Sequence, residues 1–309
     1  MSVIMYRFEK SSKWMKRYAR PLELARWTYH FDGGQKEDVL RILAAFQNED
    51  GGFGHGIEPD FWLPKSSPMA TWAAGQVLME VDADSNDLIV QKMISYLIKN
   101  YNHDTGMWTS VLPENNDYPH AIWWNWSEDV QKNWMFNPSA ELAAFLIHWS
   151  PENSDGAHVG WSSIEKAIER LMNASQMDKH EIQNFQALTK IMQKYENEFN
   201  RRLSYSFNSV CDKVYELIEN CMEKDPSKWS TGYLPLPLDF IDGPEHPLFE
   251  KNKTLVEQNI QFFLDELKED GYWDVSWGWG MYPDEYPIAR RYWQGILTVN
   301  RYKLLKNFY

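Results

Sequence analysis

Apolar residues along the chain recur at helical spacing. Val39, Ile42, Leu43 and Phe46 fall at i, i+3, i+4 and i+7, while Lys36, Glu37, Asp38 and Arg41 take the other side. This pattern predicts an amphipathic helix over 36–48. A second kind of segment is almost free of charge. The stretch 69–79 carries none, and 139–149 carries only Glu141 and His148. A helix that is apolar all round has to be buried. Alternation of the two kinds predicts two layers, an outer ring of amphipathic helices around an inner ring of uncharged ones. The buried-type segments open alike, at Ser67-Pro68, Asn137-Pro138 and Tyr286-Pro287. Proline suits the first helical position because its missing N–H would be unpaired there, and Ser67 and Asn137 are suitable N-caps.

One phrase repeats: an apolar-periodic helix, an acidic turn, then glycine followed closely by aromatic residues. It runs through Gln47-Asn48-Glu49-Asp50-Gly51-Gly52-Phe53, through Gly106-Met107-Trp108, and through Asp270-Gly271-Tyr272-Trp273. Glycines 51 and 106 are 55 residues apart, and 106 and 271 are three times that. The period predicts degenerate copies near 161, where Gly160-Trp161 stands, and near 216, with Gly232-Tyr233 a loose candidate. At about 55 residues per hairpin, 309 residues make five to six helical hairpins. The expected fold is all-α, a single (α/α) toroid domain over 1–309 with inner and outer helix rings. The proline-rich stretch 225–249 reads as a long ordered loop, and 115–136 as an aromatic-rich connection.

Composition narrows the function classes. A net charge of -13 argues against nucleic-acid binding over a broad surface. No run of 18 apolar residues predicts a membrane span, and the first 16 residues, with Arg7, Glu9, Lys10, Lys13 and Lys16, lack a secretory apolar core. Cys211 and Cys221, ten residues apart on one helix, would sit about 15 Å apart, too far to bridge. A reducing, cytoplasmic setting is expected. Sixteen tryptophans are the compositional outlier; they call for large flat surfaces in a core, a cavity, or both.

The helix-Gln-acid-Gly-x-aromatic phrase, clearest at 46–53, resembles the QW-type repeat of squalene and oxidosqualene cyclases and of protein prenyltransferase β-subunits. The segment Ser66-Ser67-Pro68-Met69-Ala70-Thr71-Trp72 is similar to their inner-helix starts. The resemblance implies an α/α toroid with a central cavity. It does not carry the reaction. The cyclase DxDD motif and the magnesium-binding DDxxD motif are absent, and neither Cys211 nor Cys221 stands in the Asp-x-Cys pair with which prenyltransferases hold zinc. The same toroid occurs among glycoside hydrolases and polysaccharide lyases, so function has to be argued from the site.

The loop 50–60 presents His55, Glu58 and Asp60 among four glycines, a set able to do acid–base work; the alternative is a tight turn with solvated polar residues. Counting three residues beyond each proline gives Thr71, Glu141 and Arg290. If the helices share a phase, these three line one mouth of a cavity. Glu141, the lone acid of its helix, either faces that cavity or suits the helix dipole. Arg290 either binds an anionic group or neutralises Glu141 or Asp284. Trp72, Trp123, Trp124, Trp126, Trp277 and Trp279 are candidates for a cavity wall, stabilising a cation or stacking on a sugar ring. No metal-ligand spacing, cofactor fingerprint or nucleophile motif occurs, so neither metal nor cofactor is expected. The expected function is an enzyme of the terpenoid cyclase and prenyltransferase-like class. It would act on a hydrophobic or cyclic small molecule, with Glu58, Asp60 or Glu141 as acid or base. The alternatives are a carbohydrate-active enzyme with two carboxylates flanking a glycosidic bond, and a non-catalytic binding scaffold.

Overall fold

The computed structural model describes residues 3–309, with side chains from Arg7 onward. Helices dominate, and among the described residues there is no strand, only isolated bridges. In chain order the helices are α1 (Val3–Tyr18), α2 (Pro21–Phe31), α3 (Lys36–Leu43), α4 (Pro68–Glu80), α5 (Leu88–Lys99), the single turn α6 (Gln131–Trp134), α7 (Ser139–Trp149), α8 (Asp155–Met172), α9 (Lys179–Met192), α10 (Glu196–Arg202), α11 (Phe207–Cys221), α12 (Phe249–Glu266) and α13 (Tyr286–Leu305). They form two compact units. A middle unit comprises Phe46–Tyr118 and Trp124–Cys221; a terminal unit comprises Met1–Ala45, Pro119–Trp123 and Met222–Tyr309.

In the middle unit the helices pack as two rows. In one row α4 packs on α7 and α7 on α9; in the other α5 packs on α8 and α8 on α11. Contacts of α4 with α5, α7 with α8 and α9 with α11 join the rows. Sequence explains who stands where. The uncharged helix α7 is buried from Ser139 through Ile147 and again at Trp149, whereas α8 buries one stripe and exposes residues such as His158 and Glu165. Each large apolar side chain sunk on α7 contributes about 1.5–3 kcal/mol. Row contact is close: a Cβ on Gly160 of α8 would stand 2.8 Å from Ile147 Cδ1 of α7. In the terminal unit α2 packs on α1, α3 and α13, around a core of Trp14, Trp27, Trp273, Val299 and Tyr302.

The glycine-aromatic phrase is a recurring lock. In each copy the glycine is left-handed, with φ of 92° at Gly51, 76° at Gly106 and 92° at Gly271, a region open chiefly to glycine. The turn is closed by Asn48 N–H to Gly52 O, Asn102 N–H to Met107 O, and Lys268 N–H to Tyr272 O. The aromatic residue then hangs its backbone N–H on a hydroxyl of a later helix: Phe53 on Thr71 (3.1 Å), Trp108 on Ser139 (2.9 Å), and Trp273 on Thr298 (3.3 Å). Two of the aromatic side chains also reach back to the preceding helix. Trp108 Nε1 donates to Leu97 O (2.8 Å) and Trp273 Nε1 to Phe263 O (2.6 Å).

The structure corrects two expectations. Gly160-Trp161 is not a turn; it lies inside α8, where glycine serves helix contact, and position 216 lies inside α11. The period therefore holds for three locks and not for the copies interpolated between them. Pro138 does not open α7 as its first residue. The helix begins at Ser139, and the Asn137 side chain accepts from Asn184 Nδ2 (3.0 Å) instead of capping. Ser67 does cap α4, accepting from Ala70 N–H (3.1 Å). Finally, aligning α4, α7 and α13 by their locks matches Thr71 with Ser139 and Thr298. Counting from the prolines gives a different register, the one in which Thr71 corresponds to Glu141 and Arg290.

Candidate active site

A buried, perturbed carboxyl lies in the middle unit, between α4 and α7. Glu141, in the first turn of α7, is 6% exposed. Trp72 and Gln76, one turn apart on α4, both aim at it. Trp72 Nε1 donates to Glu141 Oε2 at 2.5 Å and Gln76 Nε2 donates to the same oxygen at 3.2 Å. Their spacing of four residues puts both donors on one helical face. Among the described residues no group hydrogen-bonds to Glu141 Oε1. Burial pushes the carboxyl up to about 7, against the pull of the two hydrogen bonds. The group is thus poised near neutrality, with one oxygen anchored and the other free to carry a proton. Gln76 is exposed and Trp72 half-buried, so the pair forms the solvent side of the carboxyl.

The loop before α4 holds the other predicted carboxylates. Glu58 and Asp60 are both buried, at 9% and 3% exposure, and Asp60 N–H donates to Glu58 Oε1 at 3.3 Å. Phe61 next to them packs on Trp124 with ring centroids 4.8 Å apart, and Trp124 stacks on Trp134 at 4.3 Å. His55 is exposed and left-handed (φ 57°), and its ring Nε2 pairs with Asn48 Oδ1 at 2.9 Å. Asn48 in turn donates to Pro64 O and Ser66 Oγ, so His55 ties the loop ends together. Thr71 is fully buried. Its hydroxyl accepts from Phe53 N–H and donates to Ser67 O (2.8 Å), which commits it to the lock. Trp126 is half-buried and held through its backbone by Asn116.

The remaining predicted residues belong to the terminal unit. Trp123, 37% exposed, lies in the segment 119–123. Trp279 is buried against Tyr282 and Tyr286. Trp277 is half-buried and packs edge-on against Trp293 at 5.3 Å. Arg290 neutralises neither Glu141 nor Asp284. Its ion-pair partner is Asp274, which it grips through Nε at 2.9 Å and through a second, shorter bond. Sequence reasoning missed four residues. Gln76 reads as an ordinary helix glutamine, and its role depends on Glu141. Asp274 and Gln294 bond to each other from positions 20 residues apart. His120, buried beside Tyr282 at 5.5 Å, sits in a stretch without periodicity.

Among the described residues no group of three or more His, Cys, Asp or Glu side chains is placed to hold a metal, and no helix is long and apolar enough to cross a membrane. Compared with known proteins, the chain matches no family model, no curated protein and no solved structure.

Proposed function

We propose that this protein is an enzyme of the α/α-toroid class that works on a hydrophobic or cyclic small molecule by acid–base chemistry, with Glu141 as general acid. The observation that carries this reading is the Glu141 carboxyl itself. A buried acid lifted to about 7, anchored through Oε2 and unbonded at Oε1, suits proton donation near neutral pH. Trp72 supplies a flat apolar wall beside it. The two-row packing of the middle unit and the thrice-repeated lock favour the toroid. Glu58 and Asp60 are second candidates for acid or base. The net charge of -13 speaks against a nucleic-acid partner. Two free cysteines on one helix, with the Cys211 thiol pushed up to about 11 by burial, suit a reducing, cytoplasmic setting.

The test is to incubate the protein and Glu141→Gln with a small-molecule extract and follow both by untargeted mass spectrometry. Species consumed by the parent and spared by the variant are expected. If every species consumed by the parent is consumed equally by the variant, or none is consumed at all, the general-acid reading fails.

A further inference from the structure

About two turns along α7 from Glu141, two basic side chains meet at the surface of the middle unit. His148 stands in the last turn of α7, and Lys194 in the 3-10 turn Gln193–Tyr195 that follows α9. Lys194 Nζ lies 2.6 Å from His148 Nδ1. An ammonium can only donate, so Nδ1 is the acceptor and the imidazole carries its own hydrogen on Nε2. The ring is therefore neutral and in its base form. Burial of the half-buried ring comes first in keeping it so, and the positive charge of Lys194 second. Together they hold His148 below the ordinary histidine range, against the opposing charge of Asp82.

Lys194 differs from other lysines of the chain in what receives its proton. Lys16, Lys65, Lys132 and Lys213 each face a carboxylate, and Lys166 donates to the carbonyls of His103 and Asp104. Carboxylates and carbonyls hold an ammonium in place but are too weak as bases to relieve it of a proton. Imidazole is the ordinary side chain that is both uncharged and a useful base near neutral pH. The same contact fixes the amine. A lysine stem is normally a free rotor; here the hydrogen bond to His148 and the Tyr195 ring, 5.4 Å from Nζ, set its position. Lys194 is nonetheless exposed, so a reagent meets it from solvent without entering the protein.

We infer that Lys194 is a modification site, an amine poised for acylation by acyl thioesters with His148 as its base. One N–H of Lys194 stays on His148 Nδ1 while another, on the solvent side, is lost to water. The lone pair so exposed forms a bond to the thioester carbonyl carbon, and the carbonyl pair moves onto oxygen. The nitrogen is now positive, and it passes the proton it shares with His148 to Nδ1. Drawing that proton off stops the amine from leaving again, so the adduct goes forward. The carbonyl re-forms, the C–S bond breaks, and sulfur leaves with its electron pair and takes the proton back from the imidazolium. Ammonium and thioester become amide, thiol and one proton, with no oxidant or reductant. An acyl phosphate could follow the same course, but it brings negative charge toward a chain of net charge -13; the reacting end of a thioester is neutral.

The experiment treats the whole protein at neutral pH with N,S-diacetylcysteamine, a small acyl thioester, and follows each lysine by peptide mass spectrometry. Lys253, exposed on α12, is the internal reference. Lys194 is expected to acetylate about tenfold faster or more, part of the ~10²–10⁴ that a positioned base supplies. In His148→Gln the amide oxygen can still accept from Lys194 but takes no proton, so the advantage should vanish. The parent unfolded in urea needs no variant and should also show equal rates. Acetylation removes the charge that depresses His148, so its imidazole, followed by proton NMR, should titrate at higher pH than before. Equal rates at Lys194 and Lys253 in the folded protein would overturn the inference. So would an advantage that survives either His148→Gln or unfolding, or a His148 titration that acetylation leaves unmoved.

Discussion

Replacing Glu141 by glutamine should make the protein more stable, by an amount that grows from about pH 5 and is complete above about pH 8. Burial lifts this carboxyl from an ordinary 4.5 to about 7. Between those values the unfolded chain has released the proton and the folded protein has not. Stability therefore falls as pH rises through that window and levels off above about pH 8. At ~1.4 kcal/mol per pH unit the loss amounts to about 3 kcal/mol. Glutamine presents the same shape. Its amide oxygen can take the Trp72 and Gln76 hydrogen bonds in place of Oε2, and its NH2 stands where the protonated Oε1 stood. The variant thus reproduces the protonated parent at every pH. Urea unfolding followed by tryptophan fluorescence from pH 4 to pH 9 should give coincident stabilities at the acid end. Above pH 8 the variant should lead by about 3 kcal/mol, which moves the midpoint by roughly 1–3 M. If the two proteins run parallel across the whole range, Glu141 is not a buried, raised acid. If the parent is the more stable one above pH 8, its charge is compensated in solution, and the general-acid reading goes with it.

Other consequences follow from the same geometry. Trp72→Phe removes a hydrogen bond that favours the ionised carboxylate, so the Glu141 titration, read by carbon NMR, should move upward by about 1–2 pH units; a downward move would show that Trp72 does not support the anion. Gly51→Ala should prevent folding or cost more than about 3 kcal/mol, because the new Cβ would stand 2.1 Å from Lys92 O at a φ of 92°. Gly106→Ala meets first the Lys166 side chain and not backbone, so its cost, measured in the same unfolding assay, should be about 1–2 kcal/mol. Ser139→Ala leaves the buried Trp108 N–H without its acceptor and should cost about 1–3 kcal/mol, again by urea unfolding; an unchanged midpoint would mean the lock is not a stabilising element.

Helices were legible where their pattern is strong. The nearly uncharged run 139–149 is α7, although Pro138 does not open it, and the amphipathic run from Lys36 begins α3 where expected, though its last turns tighten into a 3-10 turn at Ala44–Phe46. Periodicity reports which face is buried, and here one signal sufficed. Glycine carries two meanings, and sequence alone did not separate them: Gly51, Gly106 and Gly271 supply a left-handed turn, while Gly160 supplies helix contact. Glu141 was visible as the lone acid on an uncharged helix. Gln76 was not, because its role is set by a residue 65 positions away. Asp274 stands in no pattern of the sequence, and only the arrival of Arg290 and Gln294 from α13 distinguishes it.

The locks explain why chemistry falls where it does. Each one consumes its own polar groups. The hydroxyl of Thr71 is used twice, Ser139 holds Trp108, and Thr298 holds Trp273 while donating to Gln294 O at 2.7 Å. Such residues fix the backbone and have little left for a ligand. The next side chains along inherit that rigidity without being used up by it. Trp72 follows Thr71, Glu141 stands two residues after Ser139, and Asp274 follows Trp273. A functional group is effective when it is held within about half an ångström of its working position, and a residue beside a buried, doubly anchored neighbour meets that need better than one in the middle of a free loop. By that reasoning the residues flanking the locks outrank His55 as candidates, since His55 spends its ring on Asn48 and faces solvent. A scan that substitutes Trp72, Glu141 and Asp274 on one side and His55 and Trp126 on the other separates the two groups. Loss of turnover or ligand binding should concentrate in the first three while all five variants stay folded; loss confined to His55 and Trp126 would show that the locks are scaffolding with no part in placing the site.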